Sequence, residues 1–163
     1  MDRNTPILLD TVAILEAHEA RIWNALCGYY RLETVETCVI ETQTGYQLRR
    51  PELRIEELAL RGQLHAIHQV TDEQLALVIE KGGIGLDDGE QALWAHALQR
   101  DDAWILCGPD KASMIFGYNN RKRDRLVSLG QLAAHIGQNN PLRSHFTKQW
   151  LDNLLTDRAL GIL

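Results

Sequence analysis

The chain has 163 residues, with 17 Lys and Arg against 22 Asp and Glu, for a formal net charge of −5. That acidic balance excludes a basic protein that coats duplex nucleic acid, so any nucleic-acid contact must be local. No run approaches the ~20 apolar residues of a membrane span, and 45% apolar content supports one domain with a real core.

The predicted elements, in chain order, begin with P-I-L-L-D at 6–10, a short apolar strand ending on an acid. Residues 12–26 follow with apolar positions at Val12, Leu15, Ile22, Trp23 and Leu26, which predicts a helix stopped near Gly28. The β-branched run 34–40 predicts a strand, with Glu41 just after it on the first turn of a second helix. Pro51 predicts the opening of a short helix over 52–61, and L-H-A-I-H-Q-V at 64–70 reads as a strand. Thr71 and Gln74 have the spacing of a capping box, heading a helix that ends at Gly82, Gly83 and Gly85. A further helix opens at Asp87-Asp88 and runs to about Gln99. The strand 103–107 comes next, then a helix after Asp110, a short strand at 125–128 and a helix at 130–137. The tail 141–156 is amphipathic, with Phe146, Trp150, Leu151, Leu154 and Leu155 on its apolar side.

Short apolar strands alternating with helices predict an α/β domain whose parallel sheet is covered on both faces, a three-layer α/β/α fold. One domain is expected over 1–163, with a C-terminal helical extension at about 138–163. The three cysteines, Cys27, Cys38 and Cys107, lie far apart and form no C-x-x-C pair. That excludes a zinc ribbon and a disulfide framework and fits a reducing cytoplasm. The start of the chain does not read as a basic, apolar, small-residue leader, so the expected location is cytoplasmic, with no membrane partner.

Ligands of parallel sheets bind off the carboxyl ends of the strands, and this chain places acids there. Asp10 ends the first strand, Glu41 follows the second, Asp87, Asp88 and Glu90 open a helix, and Asp110 follows the strand W-I-L-C. Each has a local explanation. Asp10 and Asp110 suit helix N-caps, Asp87 with Glu90 makes a D-x-x-E capping pattern, and acids near a helix start complement its dipole. Together, crowded carboxylates repel unless neutralised. As hard oxygen donors they match Mg²⁺ or Mn²⁺, which can activate a water against a phosphodiester.

In these motifs the chain resembles the PIN-domain ribonuclease family. I-L-L-D-T resembles the family's first acid motif (Asp10), C-V-I-E-T the second (Glu41), D-G-E-Q-A-L-W-A-H-A the third (Glu90, with Asp87 as helper), and L-C-G-P-D-K-A the fourth (Asp110). L-V-S-L-G-Q-L-A-A-H also resembles a turn and helix of one branch, and the likeness spans about residues 5–137. It implies a PIN-like fold and a metal-dependent endoribonuclease of the kind found as toxins in toxin–antitoxin pairs. Asp10, Glu41, Glu90 and Asp110 would be catalytic, and with Asp87 would hold Mg²⁺ or Mn²⁺. RNA, a protein antitoxin and a second copy in a homodimer are the implied partners. The chain departs from the family at Gly108, where Thr or Ser is common, and at Pro109, where Asp or Asn is common. Those departures favour an alternative, a weak or inactive PIN-like domain that serves as an interaction module. The family is also often shorter, the extra length here falling at 45–64 and 138–163, segments placed to cover the site or serve oligomerisation.

Other candidates are weaker. His65 and His68 form H-x-x-H, but on a strand residues three apart point to opposite faces, so the pair is a poor chelate; His18, His96, His135 and His145 suggest no third ligand. Cys107 reads as a buried inert thiol. G-G-I-G at 82–85 follows a helix and so is no dinucleotide loop, and there is no P-loop motif. A D-x-D phosphatase pattern is absent, since Thr11 and Val12 follow Asp10. Two basic clusters, Arg49, Arg50, Arg54 and Arg61, and Arg121, Lys122, Arg123 and Arg125, read as solvated faces or as grips for an RNA backbone. Trp23, Tyr29, Tyr30 and Tyr46 are core residues or base-stacking rings; Trp94 and Trp104 read as core.

Overall fold

The computed structural model describes residues 2–45 and 49–163. Five strands, β1 (Pro6–Leu9), β2 (Arg31–Val35), β3 (Ala66–His68), β4 (Ile105–Cys107) and β5 (Leu126–Val127), form one parallel sheet in the order β3-β2-β1-β4-β5. The central strand sets the register: Leu8 pairs with Glu33 on one side and Leu106 on the other, and Leu9 pairs with Cys107. The chain steps outward from β1 through β2 to β3, then returns to lay β4 on the opposite side of β1. The carboxyl ends of β1 and β4 therefore flank a topological switch point, where open parallel sheets form their crevice.

An all-parallel sheet has to be covered on both faces, and the alternation of side chains along β1 divides the core accordingly. Ile7 and Leu9 pack with Ile14 of α1 (Thr11–Glu19), Leu26 of α2 (Trp23–Tyr29), Val39 of α3 (Glu36–Gln43), Leu60 of α4 (Glu57–Gln63) and Leu132 of α8 (Leu129–His135). Leu8 and Leu106 face the other way. They pack with Val78 of α5 (Asp72–Glu80), Leu93 and Trp94 of α6 (Asp88–Ala97), Met114 of α7 (Lys111–Asn119), and Leu151 and Leu155 of α9 (Lys148–Ala159). Helices thus sandwich the sheet, in three α/β/α layers. Each buried Leu or Ile contributes roughly 1.5–3 kcal/mol relative to exposure. α9 is part of that core, and Phe146 before it is buried on the opposite face.

Three elements differ from the sequence expectation for identifiable reasons. The helix expected over 12–26 is two helices, because Arg21 takes φ 60 and the Ile22 N–H bonds the Ala17 carbonyl, closing a left-handed cap without glycine. Arg121 ends α7 in the same way, its φ also 60 and the Lys122 N–H on the Gly117 carbonyl. The strand expected over 34–40 lies earlier, and Glu36 already opens α3. β-Branched residues enter that helix because Cys38, Val39 and Thr42 share its buried side, and packing overrides propensity. Pro51 opens only a 3-10 turn, Pro51–Leu53; Glu56 then caps α4 by accepting from the Leu58 and Ala59 N–H groups.

Candidate metal centre at the carboxyl ends of the strands

The expected acids reach one edge of the sheet from four segments. Asp10 directly follows β1, and its Oδ1 accepts from the Ala13 N–H at 2.7 Å, capping α1. Asp110 caps α7 in the same way, Oδ1 accepting from the Ser113 N–H at 3.0 Å. Asp87 and Glu90 form a reciprocal capping box on α6: the Glu90 N–H reaches Asp87 Oδ1 at 2.8 Å and the Asp87 N–H reaches Glu90 Oε2 at 3.1 Å. Glu41 stands on the second turn of α3 rather than the first, and the Thr11 hydroxyl donates to its Oε2 at 2.7 Å. Asp10, Thr11, Glu41, Asp87 and Glu90 line a common cavity of about 70 Å³. The local reading and the site reading coexist: Asp10, Asp87 and Glu90 each use one carboxylate oxygen in a cap and also line the cavity, whereas Glu41 caps nothing and Asp110 lies outside the cavity wall.

The electrostatics are those of an uncompensated cluster. Burial pushes the Asp10 carboxyl up to about 7; the Ala13 N–H opposes this, and the charges of Asp110, Asp87 and Glu41 add to it. Glu90 is pushed up to about 8, by burial first and then by Asp110, with Asp87 and Asp10 contributing. Among the described residues, none of these five acids forms an ion pair.

Two glycines let the carboxylates approach. A Cβ on Gly108 would lie 2.7 Å from Asp10 Oδ2, and one on Gly89 would lie 2.6 Å from Glu41 Oε2. Real side-chain carbons do not come so close. Gly108 therefore keeps open the space that Asp10 occupies. Thr11, Gly89 and Gly108 stand inside the quoted sequence motifs, but only the folded geometry gives them these roles.

A second cluster was not foreseen. Glu33, His68 and His96 form a group able to hold a metal ion, with one ligand atom of each lying within 4.8 Å of the others. They come from β2, β3 and α6, so H-x-x-H spacing could not reveal them: His65 instead contacts Arg31 at 2.7 Å. In this structure the cationic role is filled by Arg100. Its Nη1 donates to Glu33 Oε1 at 2.7 Å and to His96 Nε2 at 3.1 Å, while His68 Nε2 bonds the same Glu33 oxygen at 2.6 Å. Burial pushes Glu33 up, but the hydrogen bonds from His68 and Arg100 outweigh it, leaving the carboxyl below its usual value. Burial, aided by His68 and Arg100, lowers His96 to about 4, so this imidazole is neutral and free to accept.

The remaining candidates fall into place as structure. Arg61 is committed to Glu36 and Glu57, and Arg49 donates to the Thr42 and Thr44 carbonyls. Arg125 stacks over Trp104 and donates to its carbonyl. Trp23 and Tyr30 are buried, bonding Gln63 and the Leu132 carbonyl; Tyr46 lies outside the described residues. His18 stacks on Trp23, and His145 packs on Phe146. The cysteines are free thiols; burial raises Cys27 to about 11, Cys38 to about 12 and Cys107 well above its usual value. Among the described residues, no helix is long and apolar enough to cross a membrane. No protein-family model matches this chain, and no curated protein is significantly similar to it.

Proposed function

We propose that this chain is a metal-dependent endoribonuclease, a relative of the PIN-domain toxins, that takes Mg²⁺ or Mn²⁺ on Asp10, Glu41, Asp87, Glu90 and Asp110. The observation that carries this reading is the meeting of acids from four segments at the switch point of a parallel sheet, with no cationic side chain paired to them among the described residues. Their donor set is all carboxylate oxygen, the chemistry Mg²⁺ and Mn²⁺ prefer. Among the described residues, no three of these acids bring ligand atoms within 4.8 Å of one another, and Mg²⁺ usually keeps several of its waters. When bound, such an ion supplies a Lewis acid for the phosphodiester and makes a water nucleophilic at neutral pH.

The rest follows from this chain's residues. Asp10 Oδ1 is held by the α1 N-terminus, so Oδ2 has a fixed direction beside Gly108. Thr11 orients Glu41, and the capping box orients Glu90. Preorganised carboxylates of this kind reduce the reorganisation a reaction requires. On this reading the chain is a cytoplasmic toxin restrained by a protein antitoxin, and it pairs with a second copy.

The test is RNA cleavage, with single-stranded and structured substrates, in Mn²⁺ and in EDTA, beside Asp10→Asn. Manganese-dependent cleavage that the substitution abolishes supports the nuclease. No cleavage, together with no effect of Mn²⁺ on the melting temperature, removes it. RNA binding without cleavage selects the interaction-module alternative.

A further inference from the structure

The acid-lined cavity, at about 70 Å³, has room for an ion and one or two waters, whose share of liquid volume is roughly 30 Å³ each. It cannot also hold a nucleotide, so a substrate has to lie outside it. A groove of about 520 Å³ runs between α7 and the 3-10 turn Gly83–Gly85, and Asp110 is part of its wall. That volume is within the range of small-molecule sites, roughly 300–1,000 Å³. We propose that this groove is a base-binding subsite that takes one unpaired nucleobase of single-stranded RNA beside the carboxylates. The inference rests on the nuclease reading and adds to it the place where one base of the substrate sits.

The walls match that ligand at both ends of its chemistry. Leu86, Ala112, Ile115 and Phe116 provide apolar contact, and an unpaired base offers a flat face that stacks on apolar and aromatic side chains regardless of its identity. Lys81 and Lys111 line the same groove, and among the described residues neither ammonium has an ion pair. They suit the phosphates on either side of a bound nucleotide in a protein that is acidic overall. Asn119 adds a hydrogen-bonding group whose Oδ1 already accepts from Arg158 Nε at 3.0 Å, leaving its amide to donate to a base edge. A duplex cannot present a base in this way, because its bases are stacked and paired. Asp110 in the groove wall is near enough for its charge to act on Asp10 and Glu90, and Leu86 of the same wall directly precedes Asp87, so a nucleotide seated here lies beside the acids. The cavity of about 370 Å³ beside Trp23 and Gln63 has none of the five acids in its wall.

The groove can be filled without touching the carboxylates. Ala112 is exposed on α7, and a Cβ on Gly85 would meet nothing within 4 Å. Ala112→Trp and Gly85→Leu therefore occlude the subsite by independent routes. The measurement is fluorescence anisotropy of a labelled single-stranded RNA octanucleotide in EDTA, where no cleavage occurs, with inorganic polyphosphate as a baseless competitor. Both filled variants are expected to weaken RNA binding tenfold or more, to leave polyphosphate binding within twofold, and to keep the wild-type melting temperature. Lys81→Glu and Lys111→Glu are expected to weaken both ligands. RNA affinity within twofold of wild type in both filled variants overturns the subsite, as does RNA that binds no better than polyphosphate. The outcomes separate from those of the nuclease test. Manganese-dependent cleavage with unchanged KM in both filled variants removes the subsite and keeps the nuclease. RNA held in the groove with no cleavage in Mn²⁺ removes the nuclease and keeps the groove.

Discussion

Two clusters of buried acid lie on the same sheet and resolve their charge in opposite ways. Beside β3, Glu33 is 2% exposed and yet held below the usual carboxylate range, because Arg100 and His68 converge on one of its oxygens. At the ends of β1 and β4, Asp10 and Glu90 are nearly as buried and are pushed well up, because burial and neighbouring acids act on them together. A carboxylate removed from water must gain a cation or keep its proton. The first cluster carries its cation within the fold, as a side chain. The second, on the nuclease reading, takes its cation from solution, and its affinity for that ion comes from the repulsion that the fold leaves unrelieved. The difference separates an acid that stabilises the domain from one that the domain strains to hold.

The largest expected effect that would test this contrast is that of Asp10→Asn. Its amide oxygen still accepts from the Ala13 N–H, so the α1 cap persists. Cleavage should fall by about a hundredfold or more, which is about 3 kcal/mol of barrier. The melting temperature in EDTA should rise, since a strained charge is gone; a lower melting temperature than wild type would break the comparison. Arg100→Met should do the reverse and destabilise the fold, because it leaves the buried Glu33 with His68 as its one remaining partner among those bonded to it here. Loss of one partner of such a pair costs about 3–5 kcal/mol, readable in urea denaturation.

A smaller effect is expected from Gly108→Ala. Its new carbon would meet Asp10 Oδ2 at 2.7 Å, and the forced shift should cost about 1–3 kcal/mol and raise the Mn²⁺ concentration needed to stabilise the protein. Gly28→Ala is the matched control: it stands in α2 with nothing within 4 Å of an added carbon, and the change from glycine to a helix former should stabilise by about 0.5–1 kcal/mol. Equal effects of the two alanines on Mn²⁺ dependence would sever Gly108 from the acid site.

The smallest effect is the pH profile. Asp10 and Glu90 have folded values of about 7 and about 8 against ordinary values of 3.8 and 4.5. The folded protein therefore keeps protons that the unfolded chain has released. Stability from this source is full below about pH 3.8 and is lost as pH rises through 7 to 8. Glu33, held low, contributes in the opposite sense, and its share is lost as pH falls below its ordinary 4.5 and through its lowered value. In EDTA the melting temperature should decline between pH 5 and pH 8. Mn²⁺ should restore more of it at pH 8, where the acids are ionised. Asp10→Asn should flatten the decline.

Much of the local architecture was legible in the sequence. The three-residue spacings Thr71-Gln74 and Asp87-Glu90 are closed capping boxes, and Asp10 and Asp110 cap the helices they precede. Such bonds span a single turn, so nearby residues determine them. The alternation of short apolar runs with helices likewise determined a covered parallel sheet, because the sheet has no other way to bury both faces. What only the tertiary structure decided was which residues meet. Strand order places β4 beside β1 and so brings Asp110 to Asp10. It also sets Glu33 of β2 against His68 of β3, with His96 and Arg100 completing the set from elsewhere. No periodicity encodes those meetings, because they depend on long-range pairing. The same holds for the places where the backbone was misjudged. Arg21 closes α1 in a left-handed turn that glycine would have announced, and packing of Cys38, Val39 and Thr42 turns a β-branched run into α3. The chain's own pattern determined the layers and the caps; the crossing of β4 to the far side of β1 decided that the capping acids of three segments share one edge with Glu41 of a fourth.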